Sequence, residues 1–111
     1  MKTRSEILGN NNLLVKIKSL VRTQEPDATL ILYGSFVRGD NRPDSDIDLI
    51  ILVSKNNVTM ADERRIKYPL YDLEFDTGQL ISPLVFSKQD WEQTHKVTPF
   101  YENVKREGIT L

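Results

Sequence analysis

An α/β (α+β) fold, a small mixed central sheet flanked by helices, is what this sequence predicts. Three aliphatic runs of strand length, at 28–33, 47–53 and 80–86, alternate with stretches of helical period. Turn and capping residues separate the two kinds of segment. At 111 residues the chain suits one domain spanning 1–111, with a motif core over about 28–93.

The elements follow in order. Leu14, Ile17, Lys18 and Val21 share one helical face, which predicts a helix over 11–23, ended by Glu25-Pro26-Asp27. The run ATLILY is the first strand, and Gly34 closes it. Ser35 is expected to open a short helix and to cap its free N–H groups. The stretch 40–45, DNRPDS, is built of turn formers. IDLIILV over 47–53 is apolar on both faces after its first residues, as a strand covered on both sides would be. Ile66, Leu70 and Leu73 then suit a helix, with Gly78 as its left-handed terminator; Pro69 fits a first turn, so an interruption is expected there. An alternating strand through Tyr71, Leu73 and Phe75 competes with that reading. A third strand covers 80–86, a short helix carries Trp91, and Thr98-Pro99 starts a last helix over 98–107, stopped by Gly108.

Composition limits the chemistry. Fifteen Lys and Arg against sixteen Asp and Glu give a net charge of −1, so no global field attracts nucleic acid or an anionic membrane. Cysteine is absent and histidine occurs once, which excludes disulfides, thiolate zinc sites and imidazole clusters. A metal would be bound by oxygen, and so would be Mg²⁺, Mn²⁺ or Ca²⁺. The first residues, MKTRSEILGNNNLL, lack the apolar core of a signal peptide, which makes the cytoplasm the expected location.

The informative segment is 32–52. Asp46 and Asp48 are two apart on a strand and share a face, each raising the other's pKa unless a cation lies between them. Gly34 allows the backbone to approach a ligand, and amides at Ser35 would face an anion. An EF-hand would place Asp44, Asp46 and Asp48 at its first, third and fifth positions, but it fails at Leu49 and Lys55. A phosphate-binding P-loop fails for want of Gly-Lys-Ser/Thr.

Gly34-Ser35, ten residues, then Asp46-Ile47-Asp48, with Arg38-Gly39 in the spacer and Ser45 before the first Asp, resembles the signature of minimal nucleotidyltransferase domains of the DNA polymerase beta-like superfamily. The resemblance implies transfer of a nucleoside monophosphate from an NTP, ATP in the first place, to a hydroxyl acceptor. It implies Mg²⁺ or Mn²⁺ on Asp46 and Asp48, the catalytic pair, and triphosphate on Gly34 and Ser35. Arg38 could join the phosphate site or equally pair with Asp40 or Asp44. Such domains commonly belong to toxin–antitoxin pairs with an all-helical HEPN partner, so the acceptor is expected on a partner protein or through self-association.

One departure opens an alternative. Relatives with activity carry a third carboxylate on the next strand, at a position that here is Ser82. Asp72, Glu74 or Asp76 could replace it if their segment were a strand. Otherwise the chain would be a catalytically weakened nucleotide-binding antitoxin-like or partner-binding module. His95 is expected at the surface, Trp91 in the core, and Asp72, Glu74 and Asp76 on a solvated face.

Overall fold

The computed structural model describes residues 12–39 and 46–111, so the expected loop over 40–45 and the start of the first helix lie outside the described residues. Helix α1 (Asn12–Gln24) leads into strand β1 (Thr29–Tyr33) and a one-turn helix α2 (Ser35–Arg38). Strand β2 (Ile47–Val53), helix α3 (Met60–Thr77) and strand β3 (Ile81–Ser87) follow. Helix α4 (Lys88–Gln93), a 3₁₀ turn (His95–Val97), helix α5 (Pro99–Glu107) and strand β4 (Ile109–Thr110) complete the chain. The strands lie in the order β3-β2-β1-β4. β1 runs antiparallel to β2 and β4, while β2 and β3 are parallel. Helix α3 is the long crossover that a parallel pair requires.

The double apolar face of β2 now has its reason. Ile47, Leu49, Ile51 and Val53 meet Leu14, Ile17 and Val21 of α1 and Ile66 and Leu70 of α3 on one side. Ile50 and Leu52 pack beneath Trp91, Tyr101 and Val104 of α4 and α5 on the other. Trp91 is core, as expected, stacked on Phe86 with ring centroids 5.5 Å apart. His95 is not the free surface residue the sequence suggests. It is half-buried, its ring centroid 4.6 Å from that of Phe86 and its Nε2 3.3 Å from Asp90 Oδ2.

Two further expectations change. Helix α3 is continuous through Pro69, which lies in its interior and not in a first turn. The lost N–H bond is outweighed by the buried side of the helix, Ile66, Leu70 and Leu73. The terminator is as expected, with Gly78 left-handed and its N–H bonded to Glu74 O. The sheet also has a fourth strand, β4, too short at two residues to leave a pattern. Gly108 allows the sharp return from α5 to β4, because a Cβ there would press on the Val104 carbonyl and on Ile31.

The start of α3 is held by charge. Thr59 and Asp62 form a reciprocal capping box, and the Asp62 carboxylate also meets Lys55 Nζ at 2.6 Å and Arg65 Nη2 at 3.2 Å. Lys55, then the Thr59 amide, then Arg65 hold the Asp62 carboxyl well below its ordinary value of 3.8. A depressed carboxylate contributes stability above its unfolded pKa and loses it as pH falls toward the folded one. Asp62→Asn is therefore expected to lower the melting temperature at neutral pH, with the gap to wild type closing as pH falls below about 4. A gap that persists unchanged at pH 2 would show that the carboxylate charge is not the cause.

Candidate active site

The antiparallel register sets Tyr33, the last residue of β1, opposite Asp48 near the start of β2. On the other flank of β2, Ser82 of β3 is the register partner of Asp48. Side-chain alternation puts these three on the face shared by Ile50 and Leu52. Asp46, just ahead of β2, joins them, with Ser82 Oγ donating to Asp46 Oδ2 at 2.6 Å. The expected carboxylate pair is thus at one end of a buried strand, with Asp46 exposed and Asp48 half-buried.

The turn after β1 closes in on this pair. Gly34 has φ of 80°, and a Cβ at that position would stand 2.5 Å from Asp48 Oδ2. A side chain is excluded on both counts, by backbone conformation and by space. Gly34, not Ser35, is the cap of α2, and no side-chain hydrogen bond caps it. The Gly34 carbonyl instead accepts from the Val37 and Arg38 amides at 3.1 and 3.2 Å. A helix of one turn brings little dipole, so the attraction expected from that source is minor, and local donors carry the field.

Arg38 finds a partner the sequence did not suggest. Its Nη1 donates to Glu107 Oε1 at 3.1 Å and to Oε2 at 3.4 Å, while the Gly34 N–H donates to the same Oε1 at 3.3 Å. Asp40 and Asp44, the partners weighed earlier, lie outside the described residues. Glu107 comes from the last turn of α5, 73 positions from Gly34. One local signal existed, since an acid at the C-terminal end of a helix opposes the dipole and asks for a cation elsewhere.

Burial raises the Asp48 carboxyl above its ordinary value, Asp46 adds to the rise, and Arg38 counters it. Tyr33 is pushed up to about 12, first by burial and then by Asp48, so the phenol keeps its proton at neutral pH. Sequence reasoning missed Tyr33 because a tyrosine ending an aliphatic strand reads as core.

The donor set fits a hard divalent ion. Two carboxylates, one of them bonded to the Ser82 hydroxyl, offer only oxygen, and a cation seated there would offset the burial and the Asp46 repulsion that raise Asp48. Asp46 and Asp48 are the residues that could hold it. No group of three His, Cys, Asp or Glu side chains forms a metal set among the described residues. The third carboxylate does not come from the neighbouring acids, because their segment is a helix. Asp72 and Asp76 line a groove with Lys16, Ser19 and Leu20. Glu74 accepts from the Ile81 N–H at 2.8 Å, so this acid braces β3 and is not simply solvated.

Comparison with known proteins matches the chain to a family. A family model described as a nucleotidyltransferase domain matches residues 14–97. "Putative protein adenylyltransferase MJ0141" of Methanocaldococcus jannaschii is 36% identical over 83 residues, 74% of this chain and 76% of that protein. "Putative protein adenylyltransferase MJ1379" of the same organism is 35% identical over 63 residues, 57% of this chain and 60% of that protein. Among solved structures, a "putative minimal nucleotidyltransferase" superposes with a TM-score of 0.56 at 26% identity, covering 92% of this chain and 98% of the other. A chain of a toxin–antitoxin crystal structure with AMP-PNP shares the fold, with a TM-score of 0.64 at 19% identity over 90% of this chain and 72% of that one. By sequence, by fold and by the strand-turn-strand constellation at Gly34 and Asp48, the chain belongs to the minimal nucleotidyltransferases of the nucleotidyltransferase domain family.

Proposed function

We propose that this domain is an adenylyltransferase that moves AMP from ATP to a hydroxyl on a partner protein. In this reading Asp46 and Asp48 hold Mg²⁺ or Mn²⁺, and Gly34, Ser35 and Arg38 receive the triphosphate. The acceptor oxygen forms a bond to the α-phosphorus as the bond to the β-phosphate oxygen breaks, and pyrophosphate leaves. The observation that carries the reading is the contact between Gly34 and Asp48, which leaves no room for a Cβ between a backbone turn and a carboxylate. That closeness lets one polyphosphate touch the turn's amides and share a cation with the strand's acids. A divalent ion bound there supplies charge neutralisation on phosphate and lowers the pKa of the incoming hydroxyl.

The chain's own groups do the rest. Ser82 orients Asp46 through its hydrogen bond, and Arg38 brings a guanidinium to the anion's side. The protein acceptor and ATP as donor take support from the M. jannaschii relatives named as protein adenylyltransferases. The sequence resemblance adds a helical HEPN-type partner, with self-association as the other source of an acceptor; the cytoplasm, expected from the absence of a signal-peptide core in the first residues, is the proposed place of action. Among the described residues no helix is long and apolar enough to cross a membrane.

The test is incubation with α-labelled ATP, Mg²⁺ or Mn²⁺, and the candidate partner. Covalent label on protein with matching pyrophosphate release is expected. No label with either metal and any partner, together with no metal-dependent affinity for nucleotide, would remove the proposal. A second reading, nucleotide binding without appreciable transfer, draws on one observation: a neutral hydroxyl, Ser82, where a third anionic ligand would help. Calorimetric ATP affinity without label would favour it.

A further inference from the structure

Glu107 is a carboxylate in a place where an anion is not otherwise expected. It stands at the C-terminal end of α5, where the helix field disfavours negative charge, and on the same side of the sheet as Asp48, which burial and Asp46 already strain. What holds it are two donors, the Gly34 N–H at 3.3 Å and Arg38 Nη1 at 3.1 Å. These are the donors that the nucleotidyl-transfer reading assigns to phosphate. Both bonds are long for charge-assisted contacts, and the Arg38 side chain is 47% exposed, so an incoming anion can exchange with the carboxylate.

We infer that Glu107 is an internal competitor of the nucleotide: its carboxylate sits on the Gly34–Arg38 anion site and must swing away before a polyphosphate binds there. The inference rests on the nucleotidyl-transfer reading and adds a regulation of that same site. Glu107 precedes Gly108 and β4 directly, so the state of the anion site is coupled to the seating of the C-terminal strand against β1. The competitor sets a threshold, since polyphosphate must outbid a tethered carboxylate for the same two donors.

The test measures affinity for inorganic triphosphate and for non-hydrolysable ATP, with Mn²⁺ present, in wild type, Glu107→Gln and Glu107→Ala. Circular dichroism confirms that each is folded. Removing one charge-assisted competitor is expected to tighten both ligands about tenfold, with adenosine affinity unchanged. Weaker binding in Glu107→Gln would overturn the inference and make Glu107 a positioning residue for Gly34 and Arg38. Equal affinity in all three proteins would overturn it as well, while leaving the transfer reading intact. No binding of triphosphate or ATP by any of them would remove the inference and that reading together.

Discussion

Asp48→Asn is expected to lower metal-dependent nucleotidyl transfer by about 10²- to 10³-fold, the equivalent of about 3–4 kcal/mol of transition-state stabilisation. The amide keeps the shape but not the charge, so under the proposed function a divalent ion would lose the carboxylate that stands against the Gly34 turn. Stability should move the other way. Asp48 has a folded pKa raised above its ordinary value, so its ionised form costs the fold at neutral pH, and that cost fades as pH falls through the raised value. The metal-free variant is therefore expected to melt no lower than wild type at pH 7, and the two should converge on acidification. Label incorporation and thermal melts with and without Mn²⁺ check both halves. Transfer within tenfold of wild type would exclude Asp48 as a metal ligand.

Ser82→Asp is expected to act in the opposite direction. Ser82 is the register partner of Asp48 and bonds Asp46 at 2.6 Å, so a carboxylate there would face both existing acids. Three anions without a cation repel, and the metal-free melting temperature should fall. With Mn²⁺ the same cluster gains an anionic ligand, and metal affinity should rise at least about tenfold, since ligand charge count sets affinity at oxygen sites. Transfer should rise with it if the hydroxyl is what limits turnover. Melting curves titrated with Mn²⁺ test the first expectation and label incorporation the second. A variant whose melting temperature ignores Mn²⁺ would mean that the β2–β3 end does not seat a cation.

These two substitutions concern residues that the sequence made legible, because spacing on a strand is a local property. Asp46 and Asp48 share a face by alternation alone, whereas Ser82 is marked only by the family resemblance, as the position where relatives carry a third carboxylate. The same reasoning reached the mixed sheet and the caps at Thr98 and Gly78, whose signals span a few residues. It did not reach Glu107, which meets Gly34 only after the whole sheet has assembled. Nor did it reach β4, which owes its strand form to β1 and not to two residues of propensity. At Pro69 a local rule lost to burial, because the packed side of α3 outweighed one missing hydrogen bond.

Glu74 and Pro83 together decide how this molecule can associate. β3 is one edge of the sheet, and its outward-facing amides alternate along the strand, starting with Ile81. The Ile81 N–H is already taken by Glu74, and the next outward position, Pro83, has none to give. The opposite edge is only the two residues of β4. Among the described residues, β3 thus lacks its first two outward donors and β4 is short, which disfavours pairing of a foreign strand at either border. A partner bringing the proposed acceptor hydroxyl would then dock on side-chain surfaces, with the end of β2 and its acids left open to it.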